Sequence, residues 1–85
     1  MSEAEAEDQL DARGLLCPLP VIRTGERIEQ LPAGTVVTVT ASDPGALHDI
    51  PAWCRVHGHE CLVAEERDDG ECVIRVRVGG ASDDG

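Results

Sequence analysis

The chain contains no phenylalanine, no tyrosine and no lysine, and its one aromatic among Phe, Trp and Tyr is Trp53. Its core must therefore be aliphatic, drawn from nine Val, seven Leu and four Ile. Long apolar runs are also missing, since none exceeds four residues. That excludes a membrane-spanning helix, which needs about 20 apolar residues in a row. The first eight residues, Met1-Ser2-Glu3-Ala4-Glu5-Ala6-Glu7-Asp8, are acidic and lack the basic and apolar regions of a secretion signal. A cytoplasmic location is expected.

Positive charge is scarce. Seventeen Asp and Glu oppose seven Arg, for a net charge of -10. This balance argues against binding to nucleic acid or to anionic membranes through charge. Two readings of the acidic surface stand: simple solubility, or adaptation to high salt, where ions screen self-repulsion. The 85 residues are 41% hydrophobic and 28% charged, the balance of one small globular domain. Four cysteines without a secretion signal are expected to be free thiols.

Residues 1–8 and 79–85 lack apolar periodicity and read as acidic or Gly-rich disordered tails, leaving a single domain over residues 9–78. Leu10-Asp11-Ala12 is a short extended segment ended by Gly14. Pro18 and Pro20 are compatible with the first turn of a helix. The pattern predicts a helix that starts at Pro18, has Cys17 as N-cap, and buries Val21, Ile22, Gly25 and Ile28. Leu31-Pro32-Ala33-Gly34 stops it. Thr35–Ala41 is β-branched and alternating, with Val37 and Val39 on one face. Asp43-Pro44-Gly45 and then Asp49-Ile50-Pro51 each resemble a capped helix start, so Asp43 and Asp49 are predicted structural caps. The second helix should run through Trp53 and Val56 to Gly58. Glu60–Glu66 is a strand with Cys61 and Val63 on one face, Asp69-Gly70 a hairpin turn. In the last strand, Cys72, Ile74, Val76 and Val78 point inward. The order is β-α-β-α-β-β. Right-handed crossovers put both helices on one face, an α/β two-layer sandwich.

Cys17 is the candidate catalytic residue. At a helix N-terminus, the dipole and unpaired N–H groups favour a thiolate and lower the thiol pKa. Pro18, Pro20 and Gly14 should hold the turn, and Arg13 should add positive charge. The competing reading is a small buried hydrophobe, the usual fate of a free cysteine, but prolines at a helix start favour the site. His48, His57 and His59 cannot be placed as a base beside Cys17, and there is no Cys-x-x-Cys pair for dithiol exchange. A single reactive sulfur without a catalytic entourage suits a carrier.

The residues Leu10-Asp11-x-x-Gly14-Leu15-x-Cys17-Pro18-x-Pro20 resemble the signature of the TusA/SirA-like sulfur-carrier family. The likeness continues through Asp43-Pro44-Gly45-Ala46, Asp49-Ile50-Pro51-Ala52-Trp53 and Gly58-His59-Glu60. The resemblance implies a βαβαββ sandwich with a mixed four-stranded sheet ordered 1-2-4-3. It implies a sulfurtransferase-type carrier that accepts sulfane sulfur as a persulfide on Cys17, with no cofactor. No resident metal is expected either, because the core claims Cys61, so the four possible ligands Cys54, His57, His59 and Cys61 do not converge. A cysteine desulfurase or rhodanese would be the donor. A partner protein of tRNA thiolation, molybdenum-cofactor synthesis or another sulfur pathway would be the acceptor. Arg23 and Arg27 remain as cationic docking handles, and a monomer is expected. The alternative is a redox or regulatory module in which Cys17 forms mixed disulfides.

Two weaker features complete the sequence. Cys54, His57, His59 and Cys61 offer zinc-type ligands. However, they cross a helix end, and Cys61 alternates with core residues. A local structural role for His59 near the helix end is the preferred reading. Trp53 and Cys72 read as core.

Overall fold

The computed structural model describes residues 6–79. Residues 1–5 and 80–85, most of the two expected tails, lie outside the described residues. The elements are β1 (Glu7–Ala12), α1 (Leu19–Ile28), β2 (Val36–Ala41), α2 (Ala46–His57), β3 (Glu60–Glu66) and β4 (Cys72–Arg77). The sheet order is β1-β2-β4-β3, with both helices on one face. β1 runs parallel to β2, and β4 is antiparallel to both β2 and β3. This is the expected βαβαββ sandwich.

Alternation fixes which side of each strand is buried. Val37, Val39 and Ala41 pair with Val76, Ile74 and Cys72, and all six are fully buried. Ala12 and Val78 extend that layer, and Ile28, Ala46, Ile50 and Cys54 close it from the helices. The core is thus wholly aliphatic and thiol, as the lack of phenylalanine requires. On the other sheet face, Arg75 reaches Glu7 at 3.3 Å and Arg77 reaches Glu60 at 2.8 Å.

β1 begins earlier than the sequence suggested. Glu7 and Asp8, expected in a tail, pair with Val36 and Val37. Asp8 also meets Arg27 of α1 at 2.6 Å, and the same guanidinium donates to the Gln9 carbonyl. A charged residue is held in the strand by a cation across the layer, which apolar periodicity cannot reveal. Arg27 is therefore engaged within the fold, unlike the free docking handle expected.

α1 starts one residue later than predicted, with Pro18 at its N-cap, so Cys17 precedes the cap. Its buried face is Pro20, Thr24 and Ile28, at a spacing of four, and Ile22 lies 46% exposed. Thr24 can be buried because its hydroxyl donates to the Pro20 carbonyl at 2.7 Å. Gly25 faces α2, where a Cβ would lie 3.1 Å from the Trp53 ring. The glycine serves the close approach of the two helices.

α2 is one continuous helix where the sequence suggested two capped starts. Its N-cap is Gly45, and Asp49 and Pro51 both lie inside it. Proline there removes one i→i−4 hydrogen bond. Burial of Ala46, Ile50 and Cys54 along one stripe offsets that loss. Gly58 ends the helix at φ +80°, as expected.

β3 corrects a second alternation. The register slips between Cys61 and Val63, so Cys61 opposes Val76 and Val63 opposes Arg75. Leu62 is the extra residue of a β-bulge. Cys61 keeps the core side, half-buried, while Val63 turns to the opposite face.

Candidate functional site

Cys17 sits in the connection between β1 and α1, and it is the exposed one of the four thiols. Several backbone contacts shape that connection. Gly14 takes φ +82°, a left-handed conformation that side chains disfavour, and its N–H donates to Ser42 Oγ at 2.8 Å. The Leu15 N–H returns to the Ala12 carbonyl, and the Cys17–Pro18 peptide is cis. The Cys17 N–H donates to Asp43 Oδ2 at 3.0 Å. The sulfur is therefore held by a short turn whose far wall is the β2–α2 connection. Leu16 is 71% exposed, and Leu19 and Ile22 are also exposed, so the thiol has apolar neighbours in sequence on both sides.

Two carboxylates face the sulfur side of this turn. Cys17 Sγ donates to Asp49 Oδ2 at 3.2 Å. Asp43 accepts from the Gly45 N–H at 3.0 Å with its other oxygen. Those two backbone bonds hold the Asp43 carboxyl below the usual carboxylate range. Asp49, predicted as a cap, instead spends its carboxylate on the thiol. Asp43 does organise the turn into α2, but Gly45 is the cap residue and no side chain caps that end.

The charge around Cys17 is the reverse of the expected one. Its thiol is pushed up from the ordinary value, first by the hydrogen bond to Asp49, then by lost hydration and the charges of Asp49 and Asp43. The helix end offers little in return. Pro18 and Pro20 have no N–H, and the Leu19 N–H is taken by the Leu16 carbonyl. Arg13 does not supply the positive charge predicted for it. Its Nε and Nη2 are bound by Asp11 at 2.9 Å and its Nη1 by Glu71 at 3.2 Å. The bonds from Arg13 hold Asp11 down at about 2. What the sequence missed is the Asp49 contact, because the capping pattern gave that residue a complete explanation.

The other cysteines are packed. Cys54 and Cys72 are fully buried and Cys61 is half-buried. Burial pushes all three thiols up, Cys54 to about 11, with the neighbouring Cys61 adding to it. His57 and His59 flank Trp53, with ring centroids at 4.6 and 5.2 Å. His59 Nδ1 accepts the Gly79 N–H at 2.9 Å, tying the end of β4 to the start of β3. Burial keeps the His59 imidazole below its ordinary pKa. This matches a structural role beyond the end of α2 opposite to Asp49. Among the described residues, no three His, Cys, Asp or Glu side chains come together as a metal set.

Known proteins share both the sequence and the fold of this chain. A putative sulfur carrier protein of Bacillus subtilis (strain 168) is 39% identical over 69 residues, spanning 81% of this chain and 89% of that protein. A sulfur carrier protein TusA of Pseudomonas syringae pv. syringae is 44% identical over 69 residues, 81% of each chain. The crystal structure of a SirA-like protein from Desulfitobacterium hafniense superposes with a TM-score of 0.75 at 29% identity, covering 85% of this chain and 97% of the other. The family model described as Sulfurtransferase TusA matches residues 8–78, from the second residue of β1 through the last core residue, and the chain belongs to that family.

Proposed function

We propose that the protein is a sulfur carrier in which Cys17 accepts sulfane sulfur and passes it on. The observation that carries this reading is the exposed Cys17 thiol on a hydrogen-bonded turn, with a carboxylate rather than a histidine as its partner. Such a group is presented, not equipped to hydrolyse a bond. The reaction it supports is a transfer between thiols. The Cys17 sulfur attacks the outer sulfur of a donor persulfide, the donor S–S bond breaks, and a new S–S bond forms on Cys17. The donor leaves as a thiol, so protons and electrons balance without a cofactor.

The partners are proteins. Leu16, Leu19 and Ile22 offer apolar surface beside the sulfur, and Arg23 is an exposed cation on the same helix. Family membership supports a cysteine desulfurase or rhodanese as donor. The recipient would be an enzyme of tRNA thiolation, molybdenum-cofactor synthesis or a related sulfur pathway. Incubation with a cysteine desulfurase and cysteine should add one or more sulfur atoms to the intact mass, and Cys17→Ser should abolish the addition. Equal loading of the Cys17→Ser variant would overturn the assignment, and a mixed disulfide in place of added sulfur would favour a redox module.

A further inference from the structure

We propose that Asp49 is a positioning residue that clamps the empty Cys17 thiol through its proton and lets go once the sulfur is loaded. The inference rests on the carrier reading above and concerns how one site distinguishes its two states. The geometry supplies the clamp: Sγ donates to Oδ2 of Asp49 at 3.2 Å while the Cys17 backbone N–H is held by Asp43. The empty thiol has a proton to give, so the carboxylate binds it, and the bond keeps the sulfur protonated. A persulfide is more acidic than a thiol, so its outer sulfur is an anion at neutral pH. That anion has no proton for Asp49, and it faces the charges of Asp43 and Asp49 together. A Cβ on Gly45 would be 3.5 Å from an Asp43 oxygen and 3.7 Å from an Asp49 oxygen, so the two carboxylates share one small region.

Among the described residues, no cation is found acting on the sulfur to cancel them. Arg13, the nearest in sequence, is occupied by Asp11 and Glu71. The charged groups that act on the sulfur are Asp49 from α2 and Asp43 from the β2–α2 turn. The empty carrier is thus held mostly protonated, reacting only through its minor thiolate fraction, and the loaded carrier turns its outer sulfur outward to an acceptor. The carboxylates act as a selector between states rather than as a base.

Iodoacetamide, a neutral reagent, tests this on the full chain before and after loading with inorganic polysulfide. For Asp49→Asn, the pH–rate midpoint of the empty thiol should move to lower pH, and its rate at neutral pH should rise severalfold. The loaded rate should not rise, so the loaded-to-empty ratio should shrink severalfold. Asp49→Glu, which restores the charge, should return the midpoint toward the native one. A midpoint unchanged in Asp49→Asn would overturn the proposal. Equal acceleration of both states would also overturn it, because that is the signature of a diffuse field. The empty-thiol arm needs no sulfur uptake, so it can be read even if the carrier reading itself fails.

Discussion

The two helix starts in this fold lie side by side and behave in opposite ways. α1 begins behind Cys17 with Pro18 and Pro20, which have no N–H, and with the Leu19 N–H already bonded to Leu16. It presents a sulfur but has few donors left for an anion. α2 begins at Gly45 and carries Asp49 in its first turn, with Asp43 just before it. It supplies the negative charge that the other start then meets. A helix N-terminus is a good anion site only when its N–H groups are free. Here few such groups are available, and the carboxylates of Asp43 and Asp49 at the neighbouring helix start act on the thiol instead.

The largest effect expected from this contrast is in thiol labelling. If exposure governs reactivity, iodoacetamide should modify native Cys17 well before the buried Cys54 and Cys72 and ahead of the half-buried Cys61. If the α1 dipole governed, Cys17 would also react at a pH where ordinary thiols are mostly protonated. The structure predicts that it does not, because Asp49 and Asp43 push its pKa up. Site-resolved peptide mass across a pH series reads both points. Labelling of Cys61 ahead of Cys17 would break the exposure argument, and a Cys17 midpoint below that of a free cysteine would restore the dipole.

The next effect concerns what holds the two starts together. Gly25 of α1 rests against Trp53 of α2 with room for little more than hydrogen. Gly25→Leu would force the helices apart or push the ring out of place. Overpacking of this kind costs about 1–3 kcal/mol, and chemical denaturation should show a loss of that order. The same displacement should loosen the Cys17–Asp49 contact, so the alkylation midpoint of Cys17 should fall as well. Full stability with an unchanged midpoint would mean that Trp53 simply moves aside.

The residues of this contrast also mark what could be read from sequence. β2 and β4 were legible because alternation is local: Val37, Val39, Ile74 and Val76 announce their face in a few residues. Cys17 stood out as a candidate because two prolines follow it where a helix begins. Its electrostatics were not legible, because the contact with Asp49 joins residues 32 apart in the chain. Asp49-x-Pro51 satisfied a capping rule on its own, and only the continuity of α2 through Pro51 reveals that the carboxylate is free for the thiol. The bulge at Leu62 and the Asp8–Arg27 pair were hidden for the same reason. Each depends on a partner supplied by the assembled sheet or the opposite layer, and no window of sequence contains both halves.

The smallest effect is the acid response of Asp43, which braces these two starts, and of Asp8 and Asp11 on β1. Asp43 is held down by the N–H groups of Gly45 and Cys17, Asp8 by Arg27, and Asp11 by Arg13 to about 2. In each case the folded pKa lies below the ordinary 3.8, so the folded chain binds fewer protons than the unfolded one through this window. Stability is therefore fully present above that value and is lost as the pH falls through the folded values. The groups are exposed and screened, so each contributes little, and the sum should show as a gradual fall in melting temperature from about pH 5 to about pH 2. Asp43→Asn removes the charge that ties the Cys17 turn to the α2 start while leaving an oxygen acceptor in place. Its melting temperature should fall less steeply over the same range, at a lower starting value. If the variant and the native chain lose stability in parallel, the two starts are held by packing at Gly25 and Trp53 alone, and the Asp43 bonds are incidental to the fold.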